Sequence, residues 1–201
     1  MSFGVRHERT CSLHWRNPLP TYYSGHGHTA SYLDRSKVTK YIALEPNIHM
    51  HSEIRKRAQE AGFTEADDSL LILSYGAQDT ARICAALGDN ELIDTLISIL
   101  TLCSIPSPNR TLKNLVENVL KPGGTLLFYE HVRNSREDVA WWQGFWSPIW
   151  SRAFDGCRLD RPTHVWIGEM PVWEERAVWG KEGEDGDSLF LHKVGRFVKR
   201  S

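Results

Sequence analysis

Three kinds of residue in this chain stand where chemistry could be done. Glu45 closes the apolar run Tyr41-Ile42-Ala43-Leu44, with Pro46 behind it. A carboxylate delivered by a strand tip can accept both hydroxyls of a ribose. Gly25-His26-Gly27 stands about 20 residues earlier, the interval that separates a nucleotide-binding glycine loop from its acid. Glycines there let the backbone approach a ligand closely. His131 follows Glu130 at the end of the run Thr125-Leu126-Leu127-Phe128-Tyr129. A histidine in that place can take a proton from an acceptor thiol or hydroxyl, or it can simply cap the strand end by bonding to backbone.

Other segments could shape a pocket. Gly76-Ala77-Gln78-Asp79 follows a short apolar run, and Ala77 and Gln78 could hold a flat base. The same residues could equally make a plain strand-to-helix turn. Ile99 and Leu100 could wall a site that must exclude water, or belong to the core. Trp141-Trp142-Gln143-Gly144-Phe145-Trp146-Ser147-Pro148-Ile149-Trp150 could be core, a lid or a membrane-surface patch, and it is read as part core and part lid. Trp142 and Trp146 are the candidate acceptor contacts, because such rings pack around flat ligands. His26, His28, His49 and His51 make two HxH pairs, but acidic or thiolate company for a metal is lacking, so no metal is expected.

These residues need elements to position them. Strands are predicted over 40–44, 69–74, 92–100 and 125–129. Helices are predicted over 48–61, 80–87 and from 108 or 109 to 120. This alternation reads as βαβ units with a mostly parallel sheet. Leu120-Lys121-Pro122-Gly123-Gly124 ends the last of those helices in a turn and starts the next strand. The carboxyl ends of such strands are where ligands sit. Beyond 136 the pattern changes. Residues 139–154 form an aromatic helix, then 172–179 and 189–198 alternate as an antiparallel pair at one sheet edge. Residues 1–23 lack a clear period and read as irregular. The expected organisation is one domain: 1–23 irregular, 24–135 cofactor-binding core, 136–201 aromatic lid and C-terminal strand pair.

The bulk composition sets bounds. The 201 residues are 41% hydrophobic and 24% charged, with a net charge of -1. That length is enough for a sizeable core. The balance gives no reason to expect nucleic acid or an anionic membrane surface. No apolar run reaches the ~18 residues of a membrane span, although peripheral contact through the tryptophans stays open. Cys11, Cys84, Cys103 and Cys157 form no CxxC pair, which makes zinc and dithiol chemistry weak readings and suits a reducing, cytoplasmic setting.

Taken together these pieces resemble the class I S-adenosylmethionine-dependent methyltransferases across roughly residues 24–135. The likeness narrows to the methyltransferase-like group that includes alkyl-thiol S-methyltransferases. It is carried by Leu100-Thr101-Leu102-Cys103-Ser104-Ile105, by Leu120 to Gly124, by Glu130-His131-Val132, and by Phe154-Asp155-Gly156-Cys157 with Leu159 and Arg161. The resemblance implies a Rossmann-like, doubly wound α/β fold. It implies S-adenosyl-L-methionine held by Gly25, His26, Gly27, Glu45 and Pro46 at its methionyl and ribose parts. Ala77 and Gln78 would hold the adenine, and Ile99 and Leu100 would line the methyl site. The family's N-terminal membrane-associating segment and a recognisable first strand before Gly25 have no counterpart, so the chain resembles a shortened member.

The function expected is methyl transfer to a small-molecule acceptor: a thiol, hydroxyl or amine, in secondary metabolism or detoxification. One rival is an inactive binding or scaffold protein, motivated by the poor first strand. The other is a nicotinamide-dependent oxidoreductase, which Glu45 would also suit, although Ala30 stands where the third glycine of GxGxxG belongs.

Overall fold

Along Val38-Thr39-Lys40-Tyr41-Ile42-Ala43-Leu44 alternate side chains enter two different apolar layers. Ile42 and Leu44 join one, and Tyr41 and Ala43 join the other. Alternation of period two with both sets buried means that helices cover both faces of the sheet. The computed structural model describes residues 8–13, 28–88 and 92–201. Its strands are β1 (Glu8–Leu13), β2 (Val38–Leu44), β3 (Leu70–Leu73), β4 (Ile93–Ile99), β5 (Leu120–His131), β6 (Trp173–Gly180) and β7 (His192–Lys199). Its α-helices are α1 (His51–Glu60), α2 (Thr80–Leu87), α3 (Pro108–Asn118), α4 (Glu137–Ala153) and α5 (Thr163–Glu169).

The sheet order is β3-β2-β1-β4-β5-β7-β6. β1 to β5 pair in parallel, while β7 runs antiparallel to both β5 and β6. The fold is thus the Rossmann-like doubly wound sheet with an antiparallel C-terminal edge. α1 buries Ile54 and Ala58 in the layer of Tyr41 and Phe63. α2, α3 and α5 bury Ile83, Leu112, Leu115, Val116 and Ile167 in the opposite layer, with Trp173. The order reverses between β1 and β4, and that crevice is where such sheets take ligands.

One expectation needs correction. The segment 1–23 is not irregular throughout, because residues 8–13 form the central strand. β1 pairs with β2 on one side and with β4 on the other, Cys11 standing against both Ile42 and Leu96. Glu-Arg-Thr-Cys-Ser-Leu carries little apolar signal, but it fills a slot between two apolar strands. There the hydrogen-bond ladders and the burial of Thr10 and Cys11 decide its conformation, and local propensity does not. Asp94 helps by accepting the Arg9 N–H at 2.8 Å.

β5 starts earlier than the pattern 125–129 suggests. Leu120 already pairs with Ile93, and the register slips before Thr125 pairs with Thr95. The Lys-Pro-Gly-Gly turn is therefore absorbed into the strand as a bulge, which positive φ at Gly123 permits. At its other neighbour, Phe128 lies across Gly195 of β7, where any Cβ would sit 2.3 Å from the ring. α5 is an element the sequence pattern does not reveal.

Candidate cofactor and acceptor site

Registers across the sheet bring the expected site residues to one edge. Leu44 pairs with Leu73 and with Leu13, Leu13 with Ser98, and Ser98 with Phe128. The residues just past those positions are Glu45 on β2, Ile99 and Leu100 on β4, and Glu130 and His131 on β5. Only β1 separates β2 from β4, so their tips are two strand spacings apart, about 10 Å. That gap suits a nucleoside lying across the switch point. Gly25, His26 and Gly27 lie outside the described residues.

Glu45 is fully buried, and its Oε1 accepts the Asn47 N–H at 2.7 Å. Its carbonyl oxygen lies 2.8 Å from His51 Nε2, which fixes the turn through the exposed Pro46 into α1. The loop after β3 is closed by Asp79, whose Oδ2 accepts the Gly76 N–H at 3.2 Å. Ala77 is buried there, while Gln78 is exposed with its side-chain amide against Gly76. Ile99 is 38% exposed at the tip of β4, an apolar side chain offered at the ligand edge. Leu100 has φ 50°, a left-handed backbone rare for leucine. Such strain persists only where the surroundings impose it, and it gathers at ligand sites.

Hydrogen bonds hold the backbone on both sides of it: the Leu100 N–H donates to the Tyr129 carbonyl at 2.8 Å, and Glu130 takes the residues that follow. This carboxylate has no solvent exposure. Oε1 accepts Ser98 Oγ–H at 2.7 Å, Thr101 N–H at 3.0 Å and Leu102 N–H at 3.2 Å. Burial pushes its carboxyl up to about 7, against the pull of those N–H groups and of Ser98. Glu130 is a clasp that draws the loop after β4 onto the end of β5. Arg161 braces the same loop, donating from Nη1 to the Leu102 and Ile105 carbonyls at 2.9 Å each.

His131 is placed differently from a base facing an open acceptor pocket. It is 6% exposed, and its Nε2 lies 3.2 Å from Cys157 Sγ. Burial, aided by the charge of His192, pushes it down to about 4, so the ring is neutral near pH 7. Cys103 completes the group. The neighbouring Cys157 thiol and burial hold Cys103 up, and the neighbouring Cys103 thiol is the chief reason that Cys157 is lowered. The sequence shows Cys103, His131 and Cys157 only as parts of separate motifs. Nothing in their spacing signals that they meet. Of the HxH histidines, His51 is occupied by the Glu45 carbonyl.

α4 buries part of the segment Trp141–Trp150 and leaves most of its rings outside. Its inward face is Val139, Ala140, Gln143 and Ser147. Gln143 docks the helix, its Nε2 donating to the Val132 and Leu189 carbonyls at 3.0 and 2.9 Å and its Oε1 accepting Asn134 N–H at 2.7 Å. Trp142 and Trp146 point outward, 49% and 43% exposed, beside exposed Trp141, Phe145 and Ile149. These rings pack on each other, Trp141 stacking on Phe145 at 5.7 Å and Phe145 meeting Trp146 edge-on at 5.2 Å. Trp150 is half-buried, stacked on Phe154 and packed against Phe190. Among the described residues no helix is long and apolar enough to cross a membrane.

Comparison with known proteins gives a consistent picture. Residues 24–167 match the family described as methyltransferase domain. A thiol S-methyltransferase, TMT1B of Rattus norvegicus, is 31% identical over 161 residues, which is 80% of this chain and 62% of that protein. TMT1B of Homo sapiens is 42% identical over 125 residues, 62% of this chain and 48% of that protein. The chain thus spans 62% or less of these curated relatives. The N-methyltransferase NodS of Bradyrhizobium japonicum WM9, in complex with S-adenosyl-L-homocysteine, superposes with TM-score 0.61 at 10% identity, over 98% of this chain and 80% of that one. An O-methyltransferase family protein of Burkholderia thailandensis does so with TM-score 0.64 at 14% identity, over 99% and 53%.

Proposed function

The chain belongs to the methyltransferase-domain family, and on that premise we propose that it transfers a methyl group from S-adenosyl-L-methionine to a small-molecule thiol. The carrying observation is the alignment of Glu45, Ala77, Gln78, Ile99 and Leu100 along one sheet edge, on both sides of the switch point. The thiol is favoured as acceptor because the relatives with 31% and 42% identity are named thiol S-methyltransferases. The motive for an inactive scaffold, a missing central strand, falls with β1 in place.

The residues present fit the cofactor. Glu45, at the tip of β2, would accept the ribose hydroxyls, and the loop holding Ala77 and Gln78 would contact the adenine. Ile99 and Leu100 would form the apolar wall beside the reacting carbon, excluding water. When bound, the cofactor supplies an electrophilic methyl on a sulfonium. The chain's contribution is to hold donor and acceptor in line, which can supply much of the rate. The overall transfer would turn the thiol into a methyl thioether, with its proton released to solvent and S-adenosyl-L-homocysteine as the second product.

Calorimetric titration with S-adenosyl-L-methionine and with S-adenosyl-L-homocysteine tests this reading. One site is expected, and Glu45→Gln should weaken it by about 1–3 kcal/mol without loss of fold. A panel of alkyl thiols, alcohols and amines, with methylated product followed by mass spectrometry, should yield thioether alone. No binding at millimolar cofactor would remove the proposal, and methylation confined to amines or alcohols would remove the thiol.

A further inference from the structure

Cys103, His131 and Cys157 come from three separate segments and converge on one point. Their donor atoms all lie within 4.8 Å of one another. Cys157 Sγ is 3.2 Å from His131 Nε2. Zinc takes sulfur at about 2.3 Å and histidine nitrogen at about 2.0–2.1 Å, which at tetrahedral angles sets S···N near 3.5 Å. The observed separation is within a few tenths of an ångström of that value. We propose that these three side chains form a binding site for a soft d10 metal ion, zinc(II) or copper(I).

The donor set carries the choice of ion. Two sulfurs and an imidazole select thiophilic metals over magnesium, calcium or manganese. The three protein donors leave a fourth position for water or an external ligand, the pattern of open zinc sites. The backbone around the donors is fixed before any ion arrives. Glu130 clasps the N–H groups of Thr101 and Leu102. The Arg158 N–H donates to the Cys103 carbonyl at 3.0 Å, tying the two cysteine segments together. Asp155 and Gly156 both have positive φ, 51° and 83°, and this sharp bend presents Cys157 to His131. A Cβ on Gly156 would meet the Ser104 carbonyl oxygen at 3.3 Å. Cys157 is the half-buried member, the side from which an ion enters.

Burial supplies the second argument. Cys103 is 2% exposed and His131 6%, so two of the three donors sit out of solvent, where few waters compete for an ion. An ion that takes both thiols as thiolates and His131 through its Nε2 joins the three donors into one unit and leaves Nδ1 as the ring N–H.

The test uses the full chain, reduced with a phosphine, titrated with cobalt(II) chloride and then competed with zinc(II). One equivalent of cobalt should bind with thiolate-to-cobalt charge-transfer absorption and the visible bands of a tetrahedral site, and zinc should displace it. Cys103→Ser and Cys157→Ser should each weaken binding by more than the 10–100-fold that loss of an outer-sphere partner costs. Cys84→Ser should bind as the parent does. Circular dichroism and melting establish that each variant is folded. Should Cys103→Ser fail to fold, the half-buried Cys157→Ser and Cys157→Ala decide the matter. A folded parent that binds neither metal, or cysteine variants that bind as tightly as the parent, overturns the proposal. The readout is metal alone, so its failure is distinct from failure of methyl transfer.

Discussion

Glu130 shows how one side chain can set the geometry of a site without facing it. Its carboxylate gathers donors from Ser98, Thr101 and Leu102. Each of those groups has left water, and a buried donor without an acceptor costs about 1–3 kcal/mol. Glu130→Leu strands all of them. The expected loss is about 3 kcal/mol or more in urea denaturation. Glu130→Gln keeps an acceptor oxygen and should lose distinctly less. Equal stabilities of parent and Glu130→Leu would show that water satisfies the loop. In sequence Glu130 reads only as half of Glu130-His131-Val132. Its partners lie about 30 residues away, and no spacing rule connects a carboxylate to backbone amides at that range.

At the scale of elements, α4 departs from the usual arrangement: polar Gln143 and Ser147 face inward beside Val139 and Ala140, while Trp141, Trp142, Phe145 and Trp146 face out. An aromatic-rich run reads from sequence as partly core, because large rings are usually what folding buries. Here the slot beneath the helix is filled by small and hydrogen-bonding groups. The tryptophans consequently differ in what their removal should cost. Trp173 is 2% exposed and its Nε1 donates to the Ile167 carbonyl at 2.6 Å. Trp173→Ala should destabilise by about 3–5 kcal/mol. Trp142→Ala should change stability by about 0.5 kcal/mol or less, as for surface positions. A large drop in melting temperature for Trp142→Ala would place that ring in the core after all. Other elements were plainer in the sequence. Thr80–Leu87 is helical over its predicted span, since Gly88, at positive φ, ends a run rich in alanine, arginine and leucine. β1 was hidden, because Glu-Arg-Thr-Cys-Ser-Leu has no apolar period and its conformation comes from two partner strands distant in sequence.

At the scale of the whole molecule β1 is the seam. It joins β2 and β3 to β4 and the rest of the sheet, and both of its edges are paired. Cys11 lies at its middle, 1% exposed, and burial pushes its thiol up from the ordinary 9.0 to about 12. The unfolded chain therefore releases this proton near pH 9, while the folded protein keeps it to about pH 12. Above pH 9 the folded state binds more protons than the unfolded one, so stability falls as pH rises. For this one group the loss at pH 10 is about 1.4 kcal/mol. Other groups also titrate there, so the comparison must be with Cys11→Ala, which lacks the thiol and shares the rest. The variant should be less stable than the parent at pH 7, and the gap should narrow by about 1.4 kcal/mol at pH 10. Urea midpoints at the two pH values measure it. A gap independent of pH would mean that Cys11 ionises as easily in the folded sheet as in the open chain. Water would then reach the seam between β2 and β4, and the switch-point crevice beside it would be wetter than a methyl-transfer site requires.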